Sequence, residues 1–285
     1  MEPFKIAVVQ MNALRDALEH NLRVHERITA EATDAGCQLV MFPELSVTAH
    51  YGEEDVTMLA EAACEGTIYD TMRRLTVKHG IVIGYGFCEK AHGTFYNAYG
   101  LMAATGLIGV QRKVHASLDE YLSFRMGRSF EVFNLGFCKV GVLICFDAGF
   151  FEAWRVMALK GVDVVLLPHA GRSGMGEAIA EPEQRQHLQQ LLDRLPGRYG
   201  VYADDNNVFA AYGNQVGYNG HSTHSGSAYV CGPDGNLLAQ SEACLDDLWI
   251  SAELDPHSLE QARKSKYSVM RTRRPEVYQE LTMMI

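Results

Sequence analysis

VGVLICFDAGFFEAWRVMALKG spans Val140–Gly161, and its reading decides the fold class. Val140, Val142, Leu143 and Ile144 form the unbroken aliphatic run expected of a buried strand. From Glu152 the spacing of Ala153, Val156, Met157 and Leu159, closed by Gly161, predicts a helix. Cys145 sits where the two meet. Near a helix N-terminus, unpaired backbone N–H groups and the helix dipole favour thiolate over thiol, so the position suits a nucleophile. The competing reading is a small buried hydrophobe used for packing, the usual fate of a free cysteine.

Strand-like and helix-like runs alternate on both sides of this stretch. FKIAVVQM is a strand, followed by a helix over Asp16–Ala35 with Leu18, Leu22, His25, Ile28 and Ala32 on one face. QLVMFPEL is a strand, and Thr67–His79 a helix stopped by Gly80 before the strand IVIGYGF. TFYNAYGLMAATGLIGVQRK reads as a hairpin turning at Thr105-Gly106. Later strands are VDVVLLPH, NVFAAYGNQVG, SGSAYVCGPDGNLLAQ with a Pro-Asp-Gly turn, and LWISAEL, while Glu177–Leu195 reads as an amphipathic helix. The fold class is α/β, a mixed sheet covered by helices. With no low-complexity linker and no short repeat, a single domain over residues 1–285 is the economical reading.

Composition narrows the function. Of the 285 residues, 47% are hydrophobic and 21% charged, as in soluble globular proteins, and no apolar run reaches the roughly 18 residues of a membrane span. A formal charge of -10, with no basic run longer than RTRR at Arg271–Arg274, argues against nucleic acid and for a small-molecule substrate. MEPFKIAVVQM lacks the basic lead and cleavage site of a signal peptide. Seven scattered cysteines in such a chain are expected to be reduced, and the expected location is the cytoplasm. No C-x-x-C pair, P-loop lysine motif, H-E-x-x-H or complete dinucleotide fingerprint occurs, so no metal and no cofactor are expected. His221 and His224 in GHSTHSG are read as loop hydrogen-bonders.

A cysteine nucleophile draws on a base and on a cationic or backbone group for the oxyanion. Glu44 ends the apolar strand QLVMFPEL, and Lys113 follows the strand Leu107–Gln111. Both stand at strand ends, where open α/β sheets place their sites. Taken singly, each is more commonly a solvated surface residue. Together, VMFPEL around Glu44, QRKVH around Lys113 and CFDAGFFEAWR from Cys145 resemble the motifs of the nitrilase, or carbon-nitrogen hydrolase, superfamily. The last is close to C-x-D-x-x-F-P-E-x-x-R, with Phe151 in the proline's place. The motifs come in family order, and KIAVVQM, NNVFAAYGNQVG, GSAYVCGPDGNLLAQ and RTRRPEVY extend the resemblance along the chain.

The resemblance implies a four-layer α-β-β-α sandwich and a Glu-Lys-Cys triad, carried onto Glu44, Lys113 and Cys145. It also implies a second glutamate after the lysine, matched to Glu120 with adjacent Asp119 as the alternative. In the implied chemistry Glu44 takes the thiol proton and Lys113 with the backbone N–H of Phe146 holds the oxyanion. This asks burial to raise the Glu44 pKa and the elbow to lower that of Cys145. Asp147, Glu152 and Arg155 are expected to hold the elbow. Phe146-Asp147, where nitrilases carry Trp-Glu, favours a small linear amide over a nitrile. The alternatives are an N-carbamoyl amine or amino acid amidohydrolase, a nitrilase, or a non-catalytic scaffold. Ala148 and Gly149 stand where carboxylate-binding arginines follow the cysteine in N-carbamoyl-D-amino acid hydrolases. His169, Arg172 and Tyr202 are candidate substrate-binding residues. A C-terminal arm over about 262–285 is expected to cross to a second copy in a homodimer or larger assembly.

Overall fold

The computed structural model of the chain describes residues 1–49, 56–117, 120–175 and 178–283. One sheet contains β1 (Phe4–Gln10), β2 (Leu39–Met41), β3 (Val82–Ala91), β4 (Thr94–Ala103), β5 (Gly106–Arg112) and β15 (Leu248–Leu254), in the order β15-β1-β2-β3-β4-β5. The second contains β6 (Val132–Asn134), β7 (Lys139–Val142), β8 (Val164–His169), β10 (Phe209–Asn214), β13 (Ala228–Cys231) and β14 (Leu237–Gln240), in the order β14-β13-β10-β8-β7-β6. A small third sheet, β11-β12-β9, joins β9 (Arg172–Met175), β11 (Val216–Tyr218) and β12 (Ser222–Ser225). The two large sheets repeat one pairing scheme. Each has two parallel pairs at its centre, β1-β2-β3 in one and β7-β8-β10 in the other, flanked by antiparallel strands.

Side-chain alternation along these strands generates the layers. In β1, Ile6 and Val8 join Val140, Val142 and Leu166 between the two sheets. Ala7 and Val9 point the other way, onto helices α1 (Leu18–Asp34) and α2 (Thr67–His79), through Leu22, Ile28, Met72 and Leu75. In β8, Val164 and Leu166 join the inter-sheet core, while Val165 and Leu167 meet Trp154, Met157 and Ala203 of α4 (Phe151–Leu159) and α5 (Glu181–Asn206). Three apolar layers between four layers of secondary structure make the expected α-β-β-α sandwich. Strands buried on both faces read as continuous apolar runs.

Some boundaries differ from the sequence reading. The hairpin of β4 and β5 turns at Ala104-Thr105, because Ala103 pairs with Gly106. A second hairpin joins β3 to β4 through His92-Gly93, both at positive φ (51° and 74°). The strand before Glu44 stops at Met41, and GHSTHSG contains a strand, β12, in place of a loop. The helix expected to end at Leu195 runs on through Pro196 to Asn206. Proline removes the N–H that would bond the carbonyl four residues earlier. The Leu192 carbonyl accepts instead from Gln240 Nε2 at 2.6 Å, so the helix continues.

After α6 (Pro256–Lys264), residues 265–283 form short 3-10 turns at Val269–Arg271, Pro275–Val277 and Gln279–Thr282. With Phe151, Val156 and Leu159 of α4, Tyr278 and Leu281 of this segment line a groove of about 730 Å³. No helix among the described residues is long and apolar enough to cross a membrane.

Candidate active site

The parallel centre of the second sheet delivers the thiol. Beyond β7, Leu143 N–H still donates to Leu166 O at 3.0 Å, and the chain then turns sharply. Cys145 has φ 47°, the left-handed region that costs a residue with a Cβ of order 1–3 kcal/mol and is held only by surrounding structure. One 3-10 turn, Cys145–Gly149, separates it from α4, which begins at Phe151. The expected thiolate at a helix N-terminus is therefore corrected, since the α-helix starts six residues late. Burial raises the thiol pKa well above its ordinary range, and the Glu44 charge adds to this. Lys113 and a backbone hydrogen bond from Ala170 act the other way without prevailing. The balance favours the thiol over the thiolate.

Glu44 stands in a turn that follows β2. The next residue, Leu45, also has positive φ (47°), and the turn is fastened on several sides. Tyr99 donates to Phe42 O at 2.8 Å, Gln215 Nε2 to Glu44 O at 2.7 Å, and Asn21 Nδ2 to Val47 O at 3.0 Å. Ser46 Oγ meets the buried His25 Nε2 at 3.0 Å and accepts from Gly86 N–H at 3.2 Å. The carboxylate is 1% exposed. Its Oε1 accepts from Lys113 Nζ and Asn97 Nδ2, each at 2.7 Å, while Oε2 accepts no hydrogen bond from the described residues.

Lys113 leaves the end of β5 and is buried. Its ammonium contacts Glu120 Oε1 at 2.9 Å and Oε2 at 2.7 Å. Burial alone would lower the lysine pKa, but the charges of Glu44 and Glu120 raise it well above its usual value, so Lys113 stays charged. Glu120 opens the short helix α3 (Glu120–Ser123) and also accepts from Asn97 Nδ2 (2.9 Å), Ser117 N (2.7 Å) and Ser117 Oγ (2.6 Å). The two carboxylates thus differ. Glu120 is engaged on both oxygens, and Glu44 keeps one free. Asp119, the alternative to Glu120, lies outside the described residues.

Asp147, fully buried, ties the cysteine turn to the lysine segment. It accepts from Val114 N (3.2 Å), His115 N (2.8 Å), His115 Nδ1 (2.8 Å) and Ile144 N (3.3 Å). Arg155 lies over the Phe151 ring, 5.2 Å from its centroid, and contacts Met270 Sδ. The Phe146 ring is exposed and packs edge-on against Phe150.

His169 ends β8, is buried, and contacts Leu167 O through Nδ1 (3.0 Å) and Tyr199 OH through Nε2 (3.5 Å). Burial pushes its pKa down to about 4, so the ring is neutral. The next residue is Ala170, whose carbonyl contacts His224 Nδ1 at 3.2 Å. Arg172 begins β9, paired with His224 of β12. Tyr202 packs on Phe151 and Trp154, while Tyr199, one turn earlier, is near enough to Cys145 for a thiolate there to raise its pKa. The sequence reading missed Asn97, Ser117 and Tyr199. Among the described residues, no group of three His, Cys, Asp or Glu side chains is placed to hold a metal ion.

The carbon-nitrogen hydrolase family model matches residues 5–264. A Pyrococcus abyssi protein named nitrilase is 29% identical over 278 residues, covering 96% of this chain and 98% of its own. A Francisella tularensis citrullinase is 29% identical over 300 residues, covering 99% of each. Among solved structures, a carbon-nitrogen hydrolase from Helicobacter pylori superposes with a TM-score of 0.84 at 24% identity, covering 99% of both chains, which is a likeness of fold.

Proposed function

We propose, for a chain that belongs to the carbon-nitrogen hydrolase family, that it hydrolyses the C–N bond of a small linear amide through a thioester on Cys145. One observation carries the reading: Glu44 Oε1 is tied to Lys113 and Asn97, while Oε2 accepts no hydrogen bond from the described residues. A free carboxylate oxygen is a proton acceptor, and a thiol held protonated needs one.

On this reading the S–H proton passes to Glu44 as sulfur attacks the amide carbonyl, forming a C–S bond and an oxyanion. Lys113 has three N–H groups. One goes to Glu44, one is shared by the two oxygens of Glu120, and the third, with the Phe146 backbone N–H, receives the oxyanion. A donor of this kind is worth about 3 kcal/mol in the transition state. As the C–N bond breaks, Glu44 returns its proton to the leaving nitrogen, which departs as ammonia or an amine. Water then gives a proton to Glu44 and its oxygen to the thioester carbon. The carboxylic acid leaves and the sulfur recovers the proton. Glu120 acts as the fixed counter-charge of Lys113.

The citrullinase relative favours a second reading, in which the same residues attack the carbonyl of an N-carbamoyl group and carbon dioxide and ammonia are released. Ammonia release from simple amides beside N-carbamoyl amines and amino acids, with Cys145→Ala as the blank, separates the two. Turnover of simple amides that disappears in the blank is expected. Release of carbon dioxide from carbamoyl compounds alone supports the second reading, and rates equal to the blank throughout overturn both. His169, Arg172 and Tyr202 are proposed to border the substrate, with Tyr199 beside them. The apolar groove between α4 and residues 265–283 supports a homodimer or larger assembly, tested by light scattering.

A further inference from the structure

Asn97 lies within β4, is 2% exposed, and spends its amide on two acids. Nδ2 donates to Glu44 Oε1 at 2.7 Å and to Glu120 Oε1 at 2.9 Å, while its buried Oδ1 has no hydrogen-bond partner among the described residues. A buried acceptor left unpaired is unfavourable, so the bonds to the two carboxylates set the orientation of the amide. Its backbone carbonyl also receives Lys113 N–H at 2.8 Å, which places the lysine beside the same two acids. We infer that Asn97 is the positioning residue of the site: by holding Glu44 Oε1 beside Lys113 and Glu120, it leaves Oε2 available for the Cys145 thiol proton.

This rests on the reading of Glu44 as the base. The charged or titratable groups around Glu44 are Lys113 after β5, Glu120 in α3, Cys145 beyond β7, His169 at the end of β8 and Tyr212 in β10. Among the described residues, Lys113 and Asn97 are the donors that reach its carboxylate. A hydrogen bond donated to a carboxylate favours the ionised form. Asn97 supplies one of the hydrogen bonds that hold this carboxylate, so without it a step that needs the ionised acid is expected to fail earlier as the pH falls. The isosteric Asn97→Asp adds a third acid at the same place and pushes further in the same direction.

The test follows alkylation of Cys145 by iodoacetamide against pH, read at that residue by peptide mass spectrometry because Cys64 is exposed and Cys244 partly so. The acid limb is expected to move upward by about one pH unit in Asn97→Ala and further in Asn97→Asp. Gln215→Leu, which removes only the bond to the Glu44 backbone carbonyl, should slow the reaction and leave the limb in place. If Asn97→Ala does not fold, the isosteric Asn97→Asp decides alone. An unmoved limb in a folded Asn97 variant, or an equal shift in Gln215→Leu, overturns the inference. Alkylation needs no amide turnover, so an enzyme that hydrolyses none of the amides defeats the substrate reading while this test still decides the role of Asn97.

Discussion

Asp147 Oδ1 accepts two hydrogen bonds from His115, one from the backbone N–H and one from Nδ1, each at 2.8 Å. Through them the turn that carries the nucleophile is locked to the segment that carries Lys113, two residues before His115. In Asp147→Asn, one oxygen becomes an NH₂ that faces backbone N–H donors, and buried donors are left unpaired. The expected cost is about 2–3 kcal/mol in stability. A loss of about 100-fold in kcat/KM should accompany it, because small displacements of reacting groups are costly. Denaturant unfolding and amide kinetics on the same samples check both figures.

Gly86 in β3 packs directly under the turn that holds Glu44. A Cβ at this position would lie 2.1 Å from Leu45 N and 2.6 Å from Pro43 O, and both are backbone atoms that cannot swing aside. Gly86→Ala is expected to displace Glu44 and lower kcat by about 100-fold. Gly80, an αL helix cap with open space around it, offers the comparison: Gly80→Ala should cost only about 1 kcal/mol of stability, with kcat retained. Equal loss of kcat in both variants would rule out a local effect on the Glu44 turn.

Glu44, Lys113 and Cys145 were legible because each follows an apolar strand, and a charged or reactive side chain there stands out against its neighbours. Asn97 was not. Inside TFYNAYG its polar side chain resembles one facing solvent, and only the folding of β3 and β4 into a hairpin turns it toward Glu44. Tyr199 was hidden by Pro196, which reads as a helix stop until Gln240, some forty residues later, supplies the missing donor. The resting state of the thiol escaped for another reason. A helix was visible after Cys145, but not the intervening 3-10 turn or the burial that favours thiol over thiolate.

His25 and His169 are both buried, and burial pushes each pKa from 6.5 down to about 4. Unfolded, both rings bind protons near pH 6.5, whereas folded they resist until about pH 4. The unfolded state therefore holds more protons in that window. Stability is complete above pH 6.5 and falls as the pH drops toward 4, by about 3 kcal/mol for each ring. Urea midpoints across this range should decline accordingly. In His25→Gln the decline should be smaller by about half, and a curve unchanged from wild type would show that His25 is not held neutral.

The bond from Gln240 Nε2 to Leu192 O matters because Pro196 has no N–H to offer. Gln240→Leu should leave that carbonyl unpaired and cost about 1–2 kcal/mol. In a Pro196→Ala background, the alanine N–H can take the Leu192 carbonyl, and the same Gln240→Leu change should cost less. The two substitutions are thus expected to couple by about 1 kcal/mol in a double-mutant cycle measured by denaturant unfolding. Independent, additive costs would mean that Gln240 supports β14 without completing α5. Because Tyr199 lies just beyond Pro196 on the same helix, coupling would also connect this repair of the helix to the wall of the site.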